Sequence, residues 1–298
     1  MKILLIGGSQ FVGPYLVKLL LNHGYNLTIF NRGLLRSEYP TGTRFVKGDR
    51  NGGFNLKERF DAVIDMCAYS GAQTENALRQ LRFDFFLHFS TAAVYKKTIP
   101  LRGISRREKI FPFTEESPLG DWQLWGDYNK GKVECEKILE KSGVKYASLR
   151  PVYILGPKNY CDREHFIYSR IRNNRPLVLP GDGKAIVQFV FAEEVAESIA
   201  LIIEKHAVGT FKGAFNCAGD ETITLIDLVK MMGKVVGREP ILRFNPSADG
   251  ENFNETEFPF ANENVVISNN KIKELGVKFT PLLRGLKKDY ESYYKNII

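Results

Sequence analysis

The stretch of sequence that decides the fold is Lys2-Ile3-Leu4-Leu5-Ile6-Gly7-Gly8-Ser9-Gln10-Phe11-Val12-Gly13. Its first part, Lys2–Ile6, is a short continuous apolar run, which is typical of a strand buried on both faces of a parallel sheet. Apolar residues at helical spacing over residues 11–21 predict that a helix follows at once. A buried strand, a glycine turn and a helix in this order predict a site for a dinucleotide diphosphate, because the helix start offers free N–H groups and partial positive charge.

The middle of this turn departs from the usual glycine spacing. Gly7 permits the tight bend out of the strand and Gly13 lets helix and sheet pack closely, but Gln10 stands where a bare backbone normally approaches the phosphates. The Gln10 side chain can lie over the diphosphate and hydrogen-bond to it, or it can loosen cofactor binding, and the sequence leaves both open. We assign to the cofactor site Gly7, Gly8, Ser9, Gln10, Phe11, Val12 and Gly13.

Beyond the turn, short apolar runs alternate with helical patterns. We predict strands at residues 25–30, 44–46, 62–65, 85–89, 146–150, 176–179, 187–191 and 214–217, and helices at residues 74–81, 129–139, 163–172, 192–204 and 225–236. The alternation predicts an α/β fold with a doubly wound parallel sheet. The length of the chain suits one such domain with a smaller companion, and residues 245–264 are predicted to form a loop.

The composition limits the classes of function. The 298 residues are 44% apolar, and no apolar run is long enough to cross a bilayer, so we expect a cytoplasmic protein without a membrane partner. The four cysteines and four histidines are isolated, and their spacing predicts no metal site. A net charge of +8 favours anionic partners such as nucleotides, anionic sugars or nucleic acid. One basic cluster is interpreted either as a solvated loop or as an RNA contact: Lys96, Lys97, Arg102, Arg106, Arg107 and Lys109.

The choice between NAD and NADP is usually made at the end of the second strand. There the chain reads Ile29-Phe30-Asn31-Arg32-Gly33, without the acidic residue that would hold the ribose hydroxyls of NAD. Arg32, with Arg36 nearby, can pair with a 2′-phosphate instead. We therefore expect NADP or NAD as the cofactor, with NADP favoured, and we place Asn31, Arg32 and Arg36 in its site.

Two further stretches carry residues suited to proton transfer. Thr91 follows a predicted buried strand, and Tyr128 and Lys132 lie four residues apart on one face of a predicted helix. A lysine ammonium can lower the pKa of a phenol, which can then exchange a proton with an alcohol while hydride moves to or from a nicotinamide. We therefore assign Thr91, Tyr128 and Lys132 as catalytic residues, with Tyr128 and Lys132 also contacting the cofactor.

Together these motifs make the chain resemble an extended short-chain dehydrogenase/reductase, the NAD-dependent epimerase/dehydratase family. The resemblance rests on the glycine turn, Ser90-Thr91 before Val94-Tyr95, the Tyr128/Lys132 pair, Arg150-Pro151 with Gly156-Pro157, Gly181-Asp182-Gly183 and Phe215-Asn216. It implies a Rossmann-type dinucleotide-binding domain over residues 1–155 and about 186–218, with a smaller C-terminal α/β substrate subdomain over about 156–185 and 219–298. It also implies a small-molecule substrate, a sugar nucleotide among the candidates, and a homodimer formed through the helix that bears the catalytic tyrosine. On the same basis the cofactor site also includes Asp49, Cys67, Ala68, Pro151 and Tyr153.

A narrower resemblance keeps a second function open. The segments GGSQFVG, FNRG, LRPVYILGPKNY and NKGKVECE are similar to an atypical branch that includes chloroplast stem-loop-binding proteins and their prokaryotic relatives. That branch also replaces the middle glycine of the turn with a longer polar residue. The alternative to an enzyme is therefore a Rossmann-fold RNA-binding protein that uses the basic cluster.

The residues after Thr91 restrict the reaction. Family dehydratases place acidic residues directly after this threonine, whereas this chain has Ala92-Ala93, so we expect no dehydration. Epimerisation or simple reduction of a hydroxyl/keto carbon remains. Two family positions for sugar nucleotides also differ, because Val187 stands where an arginine commonly holds the substrate diphosphate and Tyr153 replaces an asparagine. Four other residues could substitute: Lys158, Asn159, Arg163 or Lys184.

Overall fold

The computed structural model describes residues 1–35, 39–97, 112–208, 212–248 and 254–298. Its strands are β1 (Lys2–Ile6), β2 (Asn26–Asn31), β3 (Thr43–Lys47), β4 (Arg59–Asp65), β5 (Arg82–Phe89), β6 (Tyr146–Pro151), β7 (Tyr153–Leu155), β8 (Leu177–Pro180), β9 (Ile186–Phe191), β10 (Gly213–Cys217), β11 (Thr222–Thr224) and β12 (Leu242–Asn245). Its helices are α1 (Val12–Asn22), α2 (Gly71–Gln80), α3 (Gly126–Lys141), α4 (Arg163–Arg172), α5 (Ala192–Val208), α6 (Leu225–Val236), α7 (Asn270–Glu274) and α8 (Leu282–Ser292).

Seven strands form one parallel sheet in the order β10-β6-β5-β4-β1-β2-β3. The chain runs outward from β1 to β3 and then returns to place β4 on the other side of β1, with Ile6 in register with both Phe30 and Asp65. This reversal of strand order opens a crevice at the carboxyl ends of β1 and β4, where doubly wound sheets bind their ligands. The predicted Rossmann-type fold is confirmed.

Helices cover both faces of the sheet because the inner strands are apolar on both sides. Helices α1 and α5 pack together on one face, and α2 and α3 on the other. Leu5 and Leu16 belong to the core on the α1 side, whereas Leu4, Ala77 and Leu139 belong to the core on the α2 side. Burial of these side chains stabilises the sheet between its helices by about 1.5 to 3 kcal/mol for each large side chain.

Two small sheets complete the molecule. Strands β11, β9 and β7 form one of them, and β12 with β8 forms the other. Helix α6 starts with a Thr224 cap, whose hydroxyl accepts a hydrogen bond of 3.1 Å from the Asp227 N–H, and ends at Gly237 with a φ of 78°.

The structure contains all of the predicted strands and helices, with bounds that shift by up to three or four residues. The sequence missed β7, β11, β12, α7 and α8. Strand β9 belongs to the three-stranded small sheet. After it, α5 packs on the large sheet and β10 joins that sheet. Of the predicted loop at 245–264, residues 249–253 lie outside the described residues. The boundaries of the two domains stay a prediction.

Candidate active site

The glycine turn between β1 and α1 has a backbone that only small residues allow. Gly7 and Gly8 adopt positive φ angles of 94° and 74°. A Cβ atom on Gly13 would lie 2.2 Å from the carbonyl oxygen of Gly8, so the helix start packs directly on the turn. Phe11 precedes α1 with a φ of 53° and offers no side-chain cap to its first N–H groups. The turn therefore leaves the helix start available to an anion.

A cavity of about 930 Å³ opens over this turn and continues to α3 and α4. One part lies along the carboxyl ends of β1, β2 and β4, where Gln10, Asn31 and Cys67 line it. The other part lies between α3 and the start of α4. Such a volume is in the range of pockets that enclose small molecules and cofactors.

Helix α3 carries Tyr128 and Lys132 to the junction of the two parts. The helix approaches the loop after β4 closely, because a Cβ atom on Gly131 would lie 2.0 Å from the carbonyl oxygen of Tyr69. Asn129 is buried and fixes the start of α3 by donating to the carbonyl oxygens of Ala93 and Gly120, at 2.5 and 2.9 Å. These contacts set the position of the helix against the segment that follows β5.

Thr91 and Tyr128 meet at the cavity wall. Thr91 follows β5, and its hydroxyl accepts a hydrogen bond of 3.2 Å from the Ala93 N–H. Burial raises the pKa of the Tyr128 phenol, and the neighbouring Thr91 side chain and the charge of Arg163 oppose this rise. The ring faces the cavity, so 40% of the residue stays exposed.

Lys132 is buried beneath the same wall. It is 1% exposed, and its Nζ donates a hydrogen bond of 2.6 Å to the carbonyl oxygen of Phe89. Burial lowers the pKa of Lys132 to about 8. The ammonium also lies 4.9 Å from the centre of the Tyr69 ring, a cation–π contact. Tyr69 was not predicted as a site residue, and its ring lies 6.3 Å from that of Tyr128.

A buried ion pair lies under the part of the cavity that runs along the carboxyl ends of β1, β2 and β4. Arg50 contacts Asp65 at 2.7 Å and donates a 2.9 Å hydrogen bond to the carbonyl oxygen of Gln73. Both Arg50 and Lys132 line the cavity, so two cations border it where the strands end. The sequence analysis missed Arg50, although its position directly after Asp49 was a usable signal.

An aromatic wall bounds the far part of the cavity, where Trp122, Trp125 and Tyr153 line it and Phe260 is buried behind Tyr153. The ring centres of Trp122 and Trp125 are 6.3 Å apart, those of Trp125 and Tyr153 are 6.1 Å apart, and those of Tyr153 and Phe260 are 5.0 Å apart. The Arg163 guanidinium lies over the last two rings, at 5.3 and 5.8 Å from their centres. Arg163 lines the cavity and is the cation of this far part among the described lining residues.

Most of the predicted site residues border one cavity. The predicted site residues that line it are Gly7, Gly8, Ser9, Gln10, Phe11, Val12, Asn31, Arg32, Asp49, Cys67, Thr91, Tyr128, Lys132, Pro151 and Tyr153. Gly13 and Ala68 are buried behind the lining. Arg36 lies outside the described residues. The roles of all these residues stay predictions.

The alternative anion-binding residues divide in two. Asn159 and Arg163 line the cavity, whereas Lys184 pairs with Asp182 at 3.1 Å and Lys158 is exposed. The basic cluster is largely outside the described residues, which include only its first two members. Of these, Lys97 is held by Glu263 at 3.0 Å.

Among the described residues, no group of three or more His, Cys, Asp or Glu side chains is placed to hold a metal ion. Within the same described ranges, no helix has the length and apolar character needed to cross a membrane.

The chain is similar in sequence to known proteins. Residues 74–218 match the model of the NAD dependent epimerase/dehydratase family. The chain is 28% identical to the Arabidopsis thaliana chloroplast stem-loop binding protein of 41 kDa b, over 92% of this chain and 74% of that protein. It is 22% identical to UDP-glucose 4-epimerase of Lactobacillus helveticus, over 84% of this chain and 86% of that protein. The resemblance predicted from the motifs is confirmed.

Solved structures show the same fold. UDP-glucose 4-epimerase of Thermotoga maritima, solved with UDP-glucose, has a TM-score of 0.76 and 20% identity, and all of both chains is covered. UDP-glucuronic acid 4-epimerase of Bacillus cereus, solved with NAD, has a TM-score of 0.76 and 18% identity, over 100% of this chain and 99% of that chain.

Proposed function

We propose that this chain, a relative of the NAD-dependent epimerase/dehydratase family, is a nicotinamide-dependent epimerase or reductase that acts on a hydroxyl/keto carbon. One observation carries the proposal: Thr91, Tyr128 and Lys132 border the same cavity as the glycine turn. An enzyme of this class needs a proton donor and acceptor next to a dinucleotide, and this arrangement supplies both.

The residues of the cavity fit a nicotinamide dinucleotide. The turn from Gly7 to Phe11 would hold the diphosphate. A Cβ atom on Gly13 would not fit against this turn, so the start of α1 lies directly on it, and no side chain caps that helix start. Arg50 and Lys132 supply positive charge along the same wall. When bound, the nicotinamide ring supplies the hydride chemistry.

Tyr128 then acts as the acid and base. As the phenolate, its oxygen takes a proton from the substrate hydroxyl; as the phenol, it returns one to the keto oxygen, while Thr91 orients that substrate oxygen. The raised pKa of Tyr128 keeps the phenol protonated at neutral pH, so the direction that delivers a proton is favoured until more positive charge enters the cavity. Lys132 donates to the carbonyl oxygen of Phe89 and would also contact the cofactor ribose beside Tyr128.

The residues after Thr91 restrict the reaction to hydride and proton transfer. Ala92 and Ala93 line the cavity where a dehydratase needs carboxyl groups. Without those groups we propose epimerisation or reduction and not loss of water.

The far part of the cavity fits a ring attached to an anion. A sugar or base can stack on the aromatic wall, and Arg163 can pair with a phosphate or carboxylate there. A sugar nucleotide meets both requirements, with Arg163 in place of the arginine that this chain lacks at position 187. The homodimer and the cytoplasmic location stay predictions.

A tyrosine variant tests the proposal. Tyr128→Phe removes the proton-transferring hydroxyl and is expected to lower turnover of UDP-glucose or UDP-glucuronic acid at least 100-fold, within the usual effect of a general acid–base group. Native mass spectrometry should show retained nicotinamide dinucleotide in both proteins. Tyr25→Phe serves as the matched control, because Tyr25 lies next to the amino end of β2, at the opposite end of the strands from the cavity. Turnover that persists in Tyr128→Phe would contradict the assignment of the tyrosine.

An RNA-binding role is the second candidate. The observation that favours it is the similarity over 92% of the chain to a protein named for stem-loop binding. Affinity for a stem-loop RNA should then fall steeply with salt and fall further when Arg102, Arg106 and Arg107 are changed to Ala. Negligible RNA affinity at moderate salt would remove this candidate.

A further inference from the structure

A polar row of three side chains crosses the interior of the large sheet on the face that α3 covers. Asp65 of β4 is in register with His88 of β5, and His88 is in register with Ser148 of β6. Side chains in register on neighbouring parallel strands lie on the same face of the sheet. Phe86, two residues before His88, belongs to the core on the α2 side, so the polar row faces α2 and α3. All three side chains of the polar row are fully buried.

The polar row lacks hydrogen-bond partners within the protein. Among the residues that the structure describes, none pairs with either ring nitrogen of His88, the Ser148 hydroxyl or Oδ2 of Asp65. Oδ1 of Asp65 accepts hydrogen bonds from Arg50 at 2.7 Å and from the Cys67 N–H at 3.1 Å. Native proteins satisfy nearly all buried polar groups, either with other protein groups or with ordered water. Unpartnered polar atoms on three adjacent side chains therefore indicate a ligand between them.

The charges around the polar row favour a small neutral ligand. Burial lowers the pKa of His88 well below its ordinary value, and the charges of Lys132 and Arg50 add to this shift, so the ring is neutral. These two cations disfavour a metal ion at the polar row, and the Asp65 carboxylate disfavours an anion. A neutral imidazole offers one donor and one acceptor, a hydroxyl offers both, and a carboxylate oxygen only accepts. Water matches this set, because it both donates and accepts hydrogen bonds.

We propose that the polar row forms a binding site for ordered water next to Lys132. This site goes beyond the proposed reaction, because it is built from side chains of the sheet and needs neither cofactor nor substrate. Lys132 borders it, since its Nζ donates to the carbonyl oxygen of Phe89, the residue after His88. Two cations, Arg50 and Lys132, interact here with one carboxylate, Asp65. Water dipoles beside them stabilise this excess of positive charge.

Magnetic relaxation dispersion of the water oxygen counts the long-lived internal waters of the purified full chain in solution. We expect His88→Phe, which keeps a ring but has no ring nitrogen, to lose at least one of the long-lived waters of the wild-type protein. His88→Gln keeps a donor and an acceptor and should retain the wild-type count. Ser148→Ala removes one partner and should shorten the residence time of the water.

Thr28→Val is the matched control, because Thr28 is also buried and its hydroxyl also lacks a partner in the described part of the chain. Its neighbours in register are Leu4 and Arg44, so it lies outside the polar row, and the count of internal waters should stay unchanged.

An unchanged count in a folded His88→Phe variant, or an equal loss in Thr28→Val, overturns the site. If His88→Phe does not fold, an unchanged residence time in Ser148→Ala overturns it. A crystal structure in which the His88 ring nitrogens contact only protein atoms would do the same. None of these outcomes depends on dinucleotide binding, so the site and the proposed enzyme can fail separately.

Discussion

At the scale of single residues, Lys132 shows how function opposes stability. A buried ammonium is costly, and burial lowers its pKa to about 8 from an ordinary 10.5. One hydrogen bond to Phe89 and one ring contact with Tyr69 offset only part of that cost. A charge kept in such a place is expected where a site needs it.

Replacement of Lys132 by Met should therefore stabilise the protein while it weakens cofactor binding. Below pH 8 the folded wild type must hold a buried charge, and Lys132→Met removes this cost of roughly 1 to 3 kcal/mol. Between pH 8 and about 10.5 the folded state binds fewer protons than the unfolded chain, so the wild type gains stability as pH rises and the advantage of the variant shrinks. Urea unfolding near pH 7 and near pH 10 measures this. An advantage that grows with pH would contradict it.

The proposed catalytic residues could be assigned from the sequence, whereas the contacts that place Arg163, one of four candidates named there, could not. Tyr128 and Lys132 lie one helical turn apart in the sequence, so the motif itself carries their geometry. Arg163 lies where it does only because the fold brings Tyr153 of β7 and Phe260 under its guanidinium group. No local pattern contains that contact.

At the scale of elements, the position of α3 depends on one glycine. Gly131 lets the helix rest on the carbonyl of Tyr69, and Tyr128 and Lys132 flank this contact on either side. Elements with long periodic patterns, such as α6, were predicted with correct bounds. The short strands β7, β11 and β12 were missed, because three or four residues that pair with distant partners leave no periodicity to recognise.

Gly131→Ala should push α3 away from the loop after β4. The added Cβ atom meets backbone 2.0 Å away, which cannot yield as a flexible side chain would. We expect a loss of roughly 1 to 3 kcal/mol in the free energy of unfolding and weaker cofactor binding, as for other overpacked sites. Gly52→Ala is the matched control for stability, since its Cβ atom would find only an ordinary contact at 3.5 Å. Equal stability of the two variants would show that α3 is not held by this contact.

At the scale of the whole molecule, the C-terminal helix α8 brings a carboxyl group into the interior. Asp289 is 8% exposed, and burial raises its pKa to about 7, with repulsion from Glu164, Glu193 and Glu194 adding to the rise. Lys288 opposes it. The docking of this helix against the rest of the protein should therefore depend on pH.

Asp289→Asn should gain stability relative to the wild type as pH rises. The folded-state pKa lies above the unfolded value of 3.8, so the folded wild type holds a proton that the unfolded chain has lost, and this contribution disappears as pH rises through 7. The gain of the variant between pH 4 and pH 8 should be roughly 1 to 3 kcal/mol. Asp220→Asn is the control, because the hydrogen bond with Lys273 lowers the pKa of Asp220, so the stability of this variant relative to the wild type should change little between pH 4 and pH 8. If the stability gained by Asp289→Asn instead decreased as pH rises, the conclusion that Asp289 is a buried carboxyl with a raised pKa would be contradicted.

The central claim is that a nicotinamide dinucleotide binds between the glycine turn and Tyr128, and the chain contains its own probe for it. Trp122 and Trp125 are the only two tryptophans of the sequence, and both line the cavity. The most direct measurement is therefore energy transfer from tryptophan to NADH during titration of the purified protein. The account predicts saturable transfer in the wild type and in Tyr128→Phe, and its loss in a folded Gly13→Ala variant. No transfer in the wild type, or undiminished transfer in Gly13→Ala, would contradict it.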